Sequence, residues 1–188
     1  MAVALGLAAT LLRARLTHRT LKLIGLRWEW LVFVAAIPQV LAFQIPFIGQ
    51  WIPESIIPII QVLTMFGLLV FAVINIVAPG FWALGFGLLC NFLVIVFNGG
   101  WMPISVETLK RMSPFRPEDY WVIGSRLGFT KDRILAPMDI TLIWLSDRYT
   151  LPSWLPQNIA FSLGDIFISI GAVFLLWSLS RNFEKEKK

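Results

Sequence analysis

Four long apolar runs organise the chain, from about Trp28 to Phe47, Ile57 to Val77, Phe81 to Phe97 and Phe161 to Leu179. A helix that crosses a bilayer needs roughly 20 mostly apolar residues, and these runs meet or approach that length. A fifth run, Met1 to Leu12, is short. Its positive residues, Arg13 and Arg15, follow it, whereas a secretory signal carries them in front, so it reads as a short first span or a partly inserted segment. The pattern predicts an all-α integral membrane protein of about five transmembrane helices, one membrane domain over residues 1–188, with a structured loop before the last helix.

That loop, Gly99 to Ala160, mixes short apolar runs with Pro, Trp and isolated charges, and is expected to lie on the membrane. Ser105 is placed to cap a short helix with Glu107 in its first turn and Lys110 and Arg111 in its last, matching the helix dipole at both ends. Pro114 stops it. Pro117 with Glu118 and Asp119 predicts a second helix running to Leu127, ended by Gly128. Within the spans the polar and helix-breaking residues are few: Pro38, Gln39, Gln44, Gln61, Asn75 and Asn91. Pro38 should kink its helix. Asn91 is expected to bond across to another helix, and the Ala83-x-x-x-Gly87 spacing to allow close helix approach.

Composition agrees with the pattern: 57% of residues are hydrophobic and 14% charged, against about 45–50% and 25% in soluble domains. The net charge of +5 is a topology signal rather than a nucleic-acid footprint, because the cations sit beside apolar runs. Arg13, Arg15, Arg19, Lys22 and Arg27 form one basic segment suited to anionic lipid headgroups, and residues 181–188 form a charged tail. Both segments are expected in the cytoplasm by the positive-inside rule. Met1, the Gly49 to Glu54 loop and the Gly99 to Ala160 loop then lie outside the cytoplasmic membrane. The long loop carries seven cations and six acids, and long loops translocate largely regardless of charge. Trp28, Trp30, Trp51, Trp82, Trp101, Trp144, Trp154 and Trp177 fall near span ends or in this loop, as interface anchors do.

Much chemistry is excluded. His18 is the only histidine and Cys90 the only cysteine, which removes two-histidine metal sites, disulfides and thiolate clusters. No phosphate loop or His-Glu-x-x-His motif occurs, and no metal or cofactor is expected. What remains is a set of residues that the topology brings to one face: Asn98-Gly99-Gly100, Asp147-Arg148, and Ser162 with Asp165. Ser162 and Asp165 have the spacing of a capping box, and Asp147 could pair with Arg148 or Arg126. Alternatively Asp147 and Asp165 form a dyad, in which one carboxyl keeps its proton while the other activates water.

Two resemblances attach to these motifs. Asn-Gly-Gly-x-Met-Pro at Asn98 to Pro103, Trp-Leu-Ser-Asp at Trp144 to Asp147 and Ser-Leu-Gly-Asp-Ile at Ser162 to Ile166 resemble a bacterial membrane-protein family known as domain of unknown function fifty-three seventeen. This resemblance implies no activity. Asp147-Arg148 and Phe161-Ser162-Leu163-Gly164-Asp165 are similar to the two catalytic sites of signal peptidase II, an aspartic peptidase of the bacterial membrane, and Asn98-Gly99 is similar to its upstream asparagine-glycine element. The family's Gly-Asn before the first aspartate is Ile143-Trp144 here, and the asparagine of its second motif is Ser162. The resulting expectation is a non-catalytic accessory or assembly subunit of a larger membrane complex, with lipid and other membrane subunits as partners and no nucleic acid. An intramembrane aspartic hydrolase using Asp147 and Asp165 at the outer face is the alternative.

Overall fold

The structure, a computed structural model, describes residues 25–152 and 158–178. The Met1 to Leu12 run, the charged tail at 181–188, and Arg13, Arg15, Arg19 and Lys22 lie outside the described residues. The protein is mostly helical. Its helices are α1 (Trp30–Phe43), the single turn α2 (Pro46–Gly49), α3 (Ile57–Ile74), α4 (Phe81–Phe97), α5 (Val106–Met112) and α6 (Leu163–Ser178). The long helices pack in a row, α1 on α3, α3 on α4 and α4 on α6. Only α3 among the described residues is long and apolar enough to cross a membrane, while α1, α4 and α6 are shorter apolar helices. Both outer runs are trimmed for local reasons. Ile45 precedes Pro46 and is driven out of the helical region to φ −113°, ψ 93°, so the first described run breaks at Gln44. Phe161 is taken by a strand, so α6 begins only at Leu163.

The outward faces of these helices are apolar. Phe33, Ile37, Ile59, Leu63, Phe66 and Phe86 are all more than 45% exposed. In the most apolar window of α3, mean hydropathy 2.5, just 33% is buried, unlike the core helix of a water-soluble domain. Polar groups turn inward instead. Gln39 Nε2 donates to Thr64 Oγ1 at 2.8 Å. Asn75 clasps the backbone of Arg27, accepting from its N–H at 2.8 Å and donating to its carbonyl at 2.9 Å. Arg27 is thus tied to the end of α3 through its backbone.

The closest helix contact joins α4 and α6. A Cβ at Gly87 would overlap the Gly164 carbonyl and Ile168, one at Gly164 would overlap the Asn91 side chain, and one at Gly171 would overlap the Gly80 carbonyl. Gly87, one of the two small residues of that spacing, sits at this contact, and glycines on both helices let the backbones meet.

The segment between α4 and α6 folds as a cap. Asn98, Gly99 and Gly100 end α4: both glycines take positive φ, 69° and 85°, and the Gly100 N–H returns to the Ile95 carbonyl at 2.8 Å, a helix-ending turn that side chains with a Cβ disfavour. Strand β1 (Met102–Ser105) pairs in parallel with β2 (Asp132–Leu135), Met102 opposite Asp132 and Ile104 opposite Ile134. Strands β3 (Tyr149–Thr150) and β4 (Ala160–Phe161) pair antiparallel. Ile104, Leu109 and Ile134 form a buried core. The predicted Ser105 cap is present, with Ser105 Oγ accepting from the Thr108 N–H at 3.2 Å. The predicted helix from Pro117 to Leu127 is not: only a 3₁₀ turn, Glu118–Tyr120, forms. Residues 124–127 instead spend their backbone groups on β2, with Gly124 N–H to Ile134 O at 2.7 Å and Leu127 N–H to Asp132 O at 2.9 Å. The cap also meets the loop after α2 through Arg133 and Glu54, 3.7 Å apart.

Gly164→Ala is expected to destabilise the protein by about 1–3 kcal/mol through overpacking. Gly85→Ala, where the nearest atom to the new Cβ is Ala72 Cβ at 3.6 Å, an ordinary contact, should be neutral or stabilising. Reversible unfolding in mixed micelles measures both, and equal effects would remove the close α4–α6 approach.

Candidate functional site

Strand β1 is the scaffold on which the charged residues converge. On one edge it pairs with β2, whose first residue is Asp132, and the Met102 N–H donates to the Lys131 carbonyl at 3.2 Å. On its other edge Ile104 bridges to Asp147, whose N–H donates to the Pro103 carbonyl at 3.2 Å. A four-residue strand thus brings residues 131, 132 and 147 together. Asp132 and Asp147 are both buried, at 9% and 4% exposure. Lys131 Nζ lies 3.5 Å from Asp147 Oδ2, and the Asp132 and Asp147 carboxyls, brought together across β1, act on each other electrostatically. Oδ1 of each has no donor, and an unpaired buried polar atom costs about 1–3 kcal/mol. A proton kept on one of the two carboxyls supplies a donor to the pair.

The electrostatics favour that proton. Burial, reinforced by the neighbouring carboxylates of Asp132 and Asp165 and opposed by Lys131, pushes Asp147 up to about 8. Burial also raises Asp132. Burial by itself would lower Lys131, but Asp147, Asp132 and Asp165 together outweigh it and hold the ammonium above its ordinary value. A charged lysine facing three carboxyls, one of them protonated, leaves the cluster one negative charge in excess.

Asp165 belongs to a different network. Its Oδ2 accepts from the Ser162 N–H at 3.0 Å while its own N–H donates to Ser162 Oγ at 3.1 Å, a reciprocal cap on the start of α6. Its Oδ1 accepts from Asn91 Nδ2 at 2.9 Å, and Ser162 Oγ donates to Asn91 Oδ1 at 2.8 Å. Asn91 therefore makes the cross-helix bond its sequence position implies, and both Asp165 oxygens are engaged. Arg148 does not pair with Asp147; its guanidinium stacks over Trp144 at 4.4 Å. Arg126 is bound to the Thr130 and Phe129 carbonyls at 2.7 and 2.6 Å. Asn98 is a brace, donating to Val94 O at 2.7 Å and Thr141 O at 2.8 Å and accepting from the Thr141 N–H at 3.0 Å. Gly99 and Gly100 shape the turn beside it.

Beneath the cluster a cavity of about 620 Å³ opens between α1, α3, α4 and α6, with Lys131, Asp132 and Asp165 at one end and Gln39, Gln61 and Asn91 along its wall. Lys131, Asp132 and Gln61 are the site residues that chain reading did not assign. Lys131-Asp132 looks like any charged surface turn until β1 is known to bury Asp132, and Gln61 reads simply as a polar residue in a span.

Apolar helices in a row, small-residue contacts between two of them, and a folded cap holding a half-buried lysine and its carboxylates over a largely apolar cavity define the class of architecture. The chain belongs to the family of unknown function DUF5317, whose model matches residues 23–177. No curated protein and no solved structure matches it.

The protonated pair sets a pH dependence. Asp147 and Asp132 hold protons more tightly folded than unfolded, so the folded state binds more protons as pH rises from about 4 to about 8, and stability falls across that window. Below it both states are protonated, and above it the loss is complete. Unfolding followed between pH 5 and pH 8 should show the decline, with Asp147→Asn flattening it. A slope unaltered by Asp147→Asn would show that the pair does not hold the proton.

Proposed function

We propose that the protein crosses the bacterial cytoplasmic membrane five times, with its N-terminus and cap outside and its C-terminus in the cytoplasm, and acts as a non-catalytic accessory or assembly subunit of a larger membrane complex. The observation that carries the membrane reading is the inversion of the helices, apolar outward and polar inward. At about 1.5 Å per residue, the 14, 17 and 16 residues of α1, α4 and α6 reach about 21–26 Å, short of the roughly 30 Å hydrocarbon core. Flanking tryptophans and local bilayer thinning accommodate such a deficit. In favour of a non-catalytic role, Asp165 is committed to a helix cap and Asn98 to a brace.

A second reading is an aspartic hydrolase at the outer face, and what favours it is the Asp132–Asp147 pair, two carboxyls placed to share one proton. In that reading Asp132 partners Asp147 directly, while Asp165, the partner suggested by the signal peptidase II resemblance, holds Asn91 and the start of α6.

In a Cys90→Ser background, a membrane-impermeant maleimide added to spheroplasts should label Met138→Cys in the cap and not Val77→Cys at the opposite end. The reverse pattern would overturn the topology. Purified in mild detergent, the chain should run in a hetero-complex of fixed stoichiometry; recovery as a lone monomer counts against the subunit role. A statine-type peptide, whose hydroxyl takes the place of attacking water between two carboxyls, should bind the wild type and not Asp147→Asn if the hydrolase reading holds.

A further inference from the structure

The cavity under the cap has the size and the chemistry of a ligand site. Its volume of about 620 Å³ falls within the range of roughly 300–1,000 Å³ typical of small-molecule pockets, far beyond what a bare cation fills. Among the described residues no group of His, Cys, Asp and Glu is arranged to hold a metal ion. One wall carries Gln61, 1% exposed, whose Oε1 has no hydrogen-bond partner. A helix that spends a buried glutamine without a donor for its oxygen is one whose donor comes from elsewhere. The lining residues leave no side-chain donor unpartnered on the same terms: the two buried donors without partners, Trp121 Nε1 and Arg148 Nη1, belong to residues outside the cavity. The missing group is therefore a donor.

Charge narrows it further. Asp132 and Asp165 face the cavity against a single cation, Lys131, which Asp147 engages from behind at 3.5 Å. The rest of the lining is apolar, including Val40, Met65, Leu68, Leu88 and Ile168. We propose that this cavity binds an alkylammonium group, its N–H donors directed to Gln61 Oε1 and the Asp132 carboxylate and its apolar body lying along α3 and α4. The ammonium can come from a free amine or from the ethanolamine headgroup of a lipid, which has the same chemistry. The inference goes beyond the subunit role and does not rest on it.

The test uses the full chain in phosphatidylcholine nanodiscs, since choline carries no N–H to compete. Failure to incorporate would strike the membrane reading and not this one, and the binding would then be measured in detergent. Calorimetric titration with n-hexylammonium should give a saturable one-to-one heat in loaded discs and none in empty ones. Gln61→Leu, which keeps the volume and removes the acceptor, and Asp132→Asn should each weaken binding roughly tenfold or more, as should replacing the probe by n-hexyltrimethylammonium. Thermal unfolding of Gln61→Leu without ligand should match or exceed the wild type, which separates lost binding from lost fold. Discs containing phosphatidylethanolamine distinguish the sources: a weakened hexylammonium isotherm assigns the site to the lipid headgroup, and an unchanged one to a soluble amine. Equal heats in loaded and empty discs, or equal affinity of wild type and Gln61→Leu, would overturn the proposal.

Discussion

The ring of hydrogen bonds among Asn91, Ser162 and Asp165 is the constraint on which the rest of the structure depends. It closes the N-terminus of α6, and it does so with a side chain from the middle of α4. The ring forms only if the two backbones approach closely, and the glycines at 87 and 164 allow that approach. Removing one member would strand the others in apolar surroundings, where an unsatisfied polar group is expensive. Cap geometry follows from the same joint, because a single residue separates β4 from α6 and only four residues separate the end of α4 from β1. The distance between the ends of α4 and α6 is thereby set, and with it the span over which the cap must fold.

The carboxylate cluster sits directly on that frame. Three acids around one lysine, Asp132 and Asp147 among them buried, would repel and desolvate at large cost if all were ionised and unpaired. The arrangement divides the burden. Asp165 is stabilised by the Ser162 N–H and the Asn91 amide, Asp147 by Lys131, and the Asp132–Asp147 pair by keeping a proton. Each acid has a distinct environment, which is the condition under which neighbouring carboxyls take distinct protonation states.

The helices were legible in the chain because their signal is local: long apolar runs, a capping Ser105, and proline and glycine breaks. Asn91 and the small-residue spacing also declared themselves, since a polar residue in an apolar helix has few places to go. The cap was not legible. Residues 117–127 carry a sound helix-start pattern, yet their backbone groups go to β2, a preference set by a partner several residues further along and not by their own propensity. Asp147 was visible as an isolated acid beside an apolar run, but its neighbours were not: Arg148, next in sequence, turns away to Trp144, while Lys131 and Asp132 arrive through the β1–β2 pairing. Spacing along the chain suggested Asp165 as the neighbour of Asp147; strand pairing adds Asp132, which spacing did not reach.

Strand β1 has a further consequence, for the order in which the protein assembles. Its neighbours are 30 residues away on one edge and more than 40 on the other, with Met102 opposite Asp132 and Ile104 bridged to Asp147. Contacts of such sequence separation form late, because the loops they close must be ordered first. The backbone bonds within each helix are short-range, so the individual helices precede the cap, while the α4–α6 joint, 71–74 residues across, closes with it. Asp132 and Asp147 therefore stay hydrated until the strands pair, and burying them coincides with completing the native state. Protonation and the last stage of folding become one event.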